Sequence, residues 1–205
     1  MKERGMIFNS EMVRAILDGR KTQVRIPVKG SAADLLRLQG EHPHKKYNIG
    51  CPFGKVGDRI WVRETFRFPS SLDGISPAGV GEMAMAAGYK KPRSPTFYES
   101  TGNFGEGWEG FETPPLISNA GKLRPSTHMP RWASRITLEI TGVRVERLHD
   151  ISDEEATAEG VDPETFSYRS PSCGFLDLWE SLYGLDNRKS NPWVWVIEFK
   201  VVSDE

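Results

Sequence analysis

The sequence predicts an α+β fold. Two observations carry that prediction: strand signals and helix signals both occur, and they do not alternate regularly as a doubly wound α/β sheet requires. A third bounds the size. The chain has 205 residues, 38% of them hydrophobic and 27% charged. That is enough apolar material for a core and fits one domain, 1–205, carrying a long insertion, or at most two small ones.

The elements follow in order. Met6-Ile7-Phe8 reads as a short first strand. Asn9 or Ser10 can cap a helix through a side-chain oxygen. Met12, Val13, Ile16 and Leu17 then recur at helical spacing, and Gly19 suits the left-handed position that ends a helix. Arg20 through Ile26 reads as an emerging strand, and Ala32–Leu38 as a short helix. Lys55-Val56-Gly57-Asp58 is a tight-turn signal feeding the strand Arg59-Ile60-Trp61-Val62-Arg63. Residues 69–130 are rich in Gly, Pro and Ser without a steady period, which marks a loop-rich insertion.

Regular patterning returns at Trp132. Ile136, Leu138 and Ile140 alternate with Thr137, Glu139 and Thr141, the pattern of a half-buried strand that Val143 and Val145 continue past Gly142. Ser152-Asp153-Glu154-Glu155 is a capping box: the Ser152 hydroxyl and the Glu155 carboxylate can each satisfy an amide of the first turn. The short helix it starts ends at Gly160. Phe175, Leu176, Trp179, Leu182 and Tyr183 have helical spacing closed by Gly184. Trp193 through Val202 is a strand with one apolar face made by Trp193, Trp195, Ile197, Phe199 and Val201.

Composition excludes several functions. The formal net charge is −1, so no global basic field draws the chain to a polyanion, and nucleic-acid binding would need a local patch. Cys51 and Cys173 are not in metal-ligand spacing and read as reduced thiols. The four histidines (His42, His44, His128, His149) are scattered, so no metal is expected. The N-terminus has no apolar secretory signal, and no apolar run approaches the roughly 20 residues needed to span a bilayer. The expectation is a cytoplasmic protein with no membrane association. No Walker loop, dinucleotide-binding glycine loop or nucleophile elbow occurs, and no cofactor is expected.

Four stretches carry candidate chemistry. In Gly19-Arg20-Lys21-Thr22-Gln23-Val24-Arg25, strand alternation puts Lys21, Gln23 and Arg25 on one face and Thr22 on the other. Such a face can bind an anion or a carbonyl; complementing the preceding helix dipole is the structural alternative. Arg63-Glu64-Thr65 ends an otherwise apolar strand, and Glu64 needs a partner if buried. A surface salt bridge is the alternative there. Glu159 sits in the last turn of a short helix, where the dipole disfavours a carboxylate. It is either placed for chemistry, as general acid or base, or sits at a frayed end. Finally, the run from Arg124 to Arg135 mixes cations with His128 and Trp132. Arg131 and Trp132 can stack on a base, unless Trp132 belongs to the core.

Five ordered segments together resemble the ASCH family, a relative of the PUA-like β-barrels, and more narrowly its phage and prophage branch. They are Met12 through Gln23, Pro52 through Glu64, His128 through Arg135, Ile151 through Val161, and Asn191 through Val196. Residues 69–123 and 162–172 lie outside the resemblance. The resemblance implies a small PUA-like barrel flanked by short helices, with a cleft suited to RNA or modified nucleosides. Some family members are amidohydrolases acting on N4-acetylcytidine, and others are reported as ribonucleases. In the amidohydrolases a Lys, a Thr three residues on, and a later Glu are catalytic. The Lys and Glu correspond to Lys21 and Glu159. The Thr position is Val24 here, which can neither attack a carbonyl nor donate a hydrogen bond.

The expected function is therefore an RNA- or nucleoside-binding module with a cation-lined cleft. Thr22, Gln23, Arg25, Arg63, Glu64, His128, Arg131 and Trp132 would contact the ligand. The alternatives are a hydrolase using Lys21 and Glu159, or a phage accessory protein acting through a protein partner. The sequence leaves the oligomeric state open.

Overall fold

A computed structural model describes residues 1–105, 119–162 and 170–202. In chain order the strands are β1 (Glu3–Ile7), β2 (Gln23–Pro27), β3 (Arg59–Arg63), β4 (Phe66–Arg67), β5 (Phe97–Tyr98), β6 (Asn103–Phe104), β7 (Thr137–Arg147) and β8 (Trp193–Val202). The helices are α1 (Ser10–Leu17), α2 (Ser31–Glu41), α3 (Pro77–Ala86), α4 (Asp153–Ala158), α5 (Pro171–Tyr183) and α6 (Leu185–Lys189). The mixed, non-interleaved order is the α+β class that the sequence predicts. No closed barrel is found among the described residues.

The chain divides into two units. The first comprises Met1–Lys2, Asp18–Arg59 and Glu139–Lys200. Its strand order is β7-β8-β2, with β2 antiparallel to β8 and Val24 opposite Ile197. The core joins Leu148, Ile151 and Ala156 to Phe175 and Trp179 of α5 and to Val194 and Val196 of β8. Each of the valine, leucine, isoleucine and phenylalanine side chains contributes about 1.5–3 kcal/mol of hydrophobic stabilisation on burial. The sequence predicts a single apolar face on β8, and here the structure differs. Val194 and Val196 are as fully buried as Ile197, because β8 runs between two strands while α4 and α5 cover the face these valines occupy. Val201, assigned to the apolar face, is exposed.

The second unit comprises the described residues among Glu3–Leu17, Ile60–Leu138 and Val201–Glu205. Its strand order is β1-β3-β7, and β4, β5 and β6 form a separate antiparallel sheet. Its core gathers Phe66, Phe68, Val80, Tyr98, Met129 and Ala133, with Trp61 and Trp132 packed against them. Asn9 caps α1 by accepting from the Met12 amide at 2.8 Å, and Val13, Ala15 and Ile16 form the buried face. Leu17, at the helix end, is exposed.

The stretch 69–130 holds more order than its composition predicts, although its part at 106–118 lies outside the described residues. α3 escapes a periodicity reading because glycines and alanines interrupt its apolar residues. Its start is nonetheless marked: the Ser76 side chain accepts from the Gly79 amide at 3.1 Å, and Pro77 takes the first helical position. Gly81 is closely packed: a Cβ there would come within 3.1 Å of the Trp132 indole and of Pro92.

Candidate functional site

In the first unit, Gly19 takes φ 73° and turns the chain out of α1. The Thr22 amide then donates to Ala158 O at 2.8 Å, and Thr22 O accepts from the Phe199 amide at 2.8 Å. This double tie fixes the register of β2 against α4. Alternation sends Lys21, Gln23 and Arg25 to one side, as the spacing predicts, while Thr22 faces solvent. Lys21 Nζ donates to Glu159 Oε2 and to Glu159 O, both at 2.8 Å. Arg25 donates from Nη1 to Glu159 Oε1 at 3.2 Å, and from Nη2 to Glu155 Oε2 at 3.0 Å and to Glu146. Gln23 Nε2 donates to Glu155 O at 2.9 Å.

Glu159 therefore does not sit at a frayed end. Two cations pair with it at the end of the helix where the dipole is unfavourable, and it is 5% exposed, beside Lys21 and Arg25 at 3% each. Arg144 extends the network to Glu146 at 3.0 Å, to Glu155 and to Glu198. Glu155 carries opposing influences. Burial pushes its carboxyl up, but the Ser152 amide, Arg25 and Arg144 together hold it below the usual glutamate value of 4.5. The expected surplus of positive charge is not found here. Three cations (Lys21, Arg25, Arg144) meet four carboxylates (Glu146, Glu155, Glu159, Glu198), because α4 and β7 bring acids to the face β2 presents. Val24 lies opposite Ile197 in the core, 8% exposed.

Beside this network the first unit has a pocket of about 310 Å³. Phe53, Tyr183 and Trp195 line it with Ile26, Pro27 and Lys29. β-register places Ile26 opposite Trp195. The turn Lys55–Asp58 carries Phe53 to the same place. Asp58 organises that turn by accepting from the Lys2 amide at 2.8 Å and the Lys55 amide at 3.2 Å. The Lys2 amide is the main reason its carboxyl lies below the usual range. The Tyr183 hydroxyl is pushed up, first by burial and then by the charge of Glu159, so it stays a hydrogen-bond donor at neutral pH. The sequence reading missed these lining residues as a set. Phe53 stands in one of the ASCH-like segments, but only the fold brings it to Tyr183 and Trp195.

In the second unit, Glu64 is 2% exposed, which sets aside the surface salt bridge. It accepts from Arg135 Nε at 3.0 Å, from Arg135 Nη2 at 3.2 Å and from the Ser100 hydroxyl. Arg63 lies over the Trp61 ring at 5.3 Å and donates to Ser126 O at 3.1 Å and to Thr127 O, tying down the turn on which His128 is exposed. Arg131 donates to Glu3 at 3.1 Å and to the Thr137 hydroxyl at 3.0 Å. Trp132 stacks on Phe68 with centroids 5.5 Å apart and planes 6° apart, so one of its faces belongs to the core.

Lys21, Gln23, Arg25 and Glu159 thus meet in the first unit, whereas Arg63, Glu64, His128, Arg131 and Trp132 belong to the second. Among the described residues, no group of three or more His, Cys, Asp and Glu is placed to hold a metal ion. No disulfide joins Cys51 and Cys173. No described helix is long and apolar enough to cross a membrane.

No family model matches the chain, and no curated protein matches it. Among solved structures it is similar to an ASCH domain from Lactobacillus crispatus JV V101, at 10% identity and a TM-score of 0.43, covering 99% of this chain and 81% of the other. It is also similar to a protein of family DUF984 from Enterococcus faecalis V583, at 11% identity and a TM-score of 0.38, with the same coverages. At these scores the likeness says nothing of ligand, substrate or activity.

Proposed function

We propose that the chain is an ASCH-type module that binds a nucleobase, free or within RNA, in the aromatic pocket of its first unit. One observation carries this reading: Phe53, Tyr183 and Trp195 converge on a pocket of about 310 Å³ with Lys29 among its lining residues. The volume suits a single planar ring system. Aromatic side chains recognise bases by stacking, and a neighbouring lysine can meet a phosphate. The Tyr183 hydroxyl, kept protonated, can donate to a base edge. Lys21, Arg25 and Glu159 have a supporting part in this reading, because they already satisfy one another.

A second reading is favoured by the 2.8 Å contact between Lys21 Nζ and Glu159. Glu159 would activate water and Lys21 would stabilise the oxyanion formed on an amide, with Val24 in place of a nucleophile. That chemistry requires a substrate to enter a network that is 3–5% exposed.

One experiment separates the readings. Purified protein is incubated with nucleosides, N4-acetylcytidine included, and with short RNAs, while binding and products are both followed. Saturable binding weakened by Phe53→Ala, with no product formed, supports the base pocket. Turnover abolished in both Lys21→Ala and Glu159→Gln supports the hydrolase. Absence of both binding and turnover overturns both readings in favour of a protein partner.

A further inference from the structure

The first unit holds a second cavity, of about 490 Å³, and the chain places it beside the base pocket. Ala32 lines the base pocket and Ala33 the other cavity, so the first turn of α2 is a wall of both. Trp195 lines the base pocket and Trp193 the other. Alternation along β8 puts these two indoles on one face of the sheet. Their positions lie about 6.6–6.8 Å apart along the strand. That is twice the roughly 3.4 Å rise between stacked bases of one nucleic-acid strand. Two consecutive nucleotides therefore reach both cavities only when unstacked and splayed, the form in which single-stranded RNA is read.

Arg147 is fixed at the second cavity. Its guanidinium lies over the Trp193 ring at 4.1 Å, and Nη1 donates to Asn191 O at 3.0 Å. Asn191 takes φ 45°, a left-handed conformation that asparagine tolerates, and its Oδ1 accepts from the His149 amide at 2.8 Å. That turn presents its carbonyl to Arg147. A guanidinium plane backed by an indole is a stacking platform for a base. The same lining carries two carboxylates, Asp34 and Glu41, the latter paired with Arg37 at 3.2 Å. They disfavour a phosphate here, whereas Lys29 favours one at the base pocket. We infer that the ligand is a single strand of RNA read as two consecutive splayed nucleotides: one base enters between Phe53, Tyr183 and Trp195, the phosphate between them meets Lys29, and the next base stacks on Arg147. This inference rests on the base-pocket reading and deepens it.

Calorimetric titration of the intact chain with the four ribonucleoside 5′-monophosphates and the four homodinucleoside monophosphates (ApA, CpC, GpG, UpU) tests it. At least one dinucleotide should bind about tenfold more tightly than its mononucleotide. The diester carries less charge than the monoester, so charge cannot supply that gain. Arg147→Ala should abolish the gain while the mononucleotide still binds, which shows that the fold is intact. Arg147→Lys, which keeps the charge without the plane, should lose the gain as well. Phe53→Ala should weaken mononucleotide and dinucleotide alike. Equal binding of mononucleotide and dinucleotide in all four series, or a gain retained in both Arg147 variants, would overturn the inference and leave the base pocket standing. Mononucleotide binding untouched by Phe53→Ala, or no binding of any probe, would overturn the base-pocket reading and the inference with it.

Discussion

Two of the places where the molecule buries ionised groups treat them differently. Around Lys21 and Arg25, carboxylates arrive from α4, β7 and β8 until positive charge is slightly exceeded. Around Glu64, one carboxylate is enclosed by Arg135 and Ser100. The first arrangement has satisfied its electrostatics internally and acts as a structural clamp. The second is a compact group, one carboxylate held by one partly exposed arginine and a hydroxyl. A buried charge shared among many partners can lose one of them and keep others, whereas Glu64 depends on a single arginine.

Removing one member of the first network should have the largest effect. Glu159→Ala leaves Lys21 and Arg25 facing each other in a buried site and should cost about 3–5 kcal/mol in denaturant unfolding. Replacing the pair together, Lys21→Met with Glu159→Leu, should recover most of that loss. If the single variant is tolerated, the network is not a clamp. Arg135→Ala comes next, at about 2–3 kcal/mol, since it strands the buried Glu64 while its own side chain is 22% exposed. Lys91→Ala, at an exposed position, should leave stability nearly unchanged; a loss as large as that of Arg135→Ala would show that exposed charges matter here as much as buried ones.

Ser152→Ala should cost about 1 kcal/mol by removing the cap of α4. The pH dependence of this region follows from Glu155. Its folded value is depressed, so its contribution is fully present above 4.5 and is lost as pH falls below that value. Glu155→Gln should flatten acid unfolding in that window, measured by circular dichroism. The smallest effect is at Tyr98. Burial pushes its hydroxyl up from 10 to about 12, with Glu64 adding to the shift and Arg135 opposing it. Its contribution is complete below pH 10 and is lost between 10 and 12. Difference absorbance of Tyr98→Phe against the parent should assign it a titration near 12 rather than 10.

Much of this was legible in the sequence because local chemistry dictated it. Asn9 caps α1, the Ser152–Glu155 box starts α4, and alternation puts Lys21, Gln23 and Arg25 together. Glu159 breaks the dipole rule, and the break marks a buried charge held by distant partners. Other features depend on pairings far apart in sequence. Arg135 stood in the singled-out cationic run, yet its contact with Glu64 crosses 71 positions. The enclosure of Val194 and Val196 follows from the place of β8 in the sheet, which its own pattern does not encode. The aromatic pocket unites residues from a turn, a helix end and a strand. α3 lacks periodicity and is announced only by Ser76 and Pro77.

Glu155 has a consequence beyond its own helix. Oε2 accepts from both the Ser152 amide and Arg25, while the other oxygen takes Arg144. A six-residue helix cannot persist alone in water, so α4 exists on borrowed stability, and this carboxylate is where much of it is borrowed. Unwinding its first turn would also strip a counterion from two arginines, which makes the melting of α4 and the exposure of those charges one concerted event.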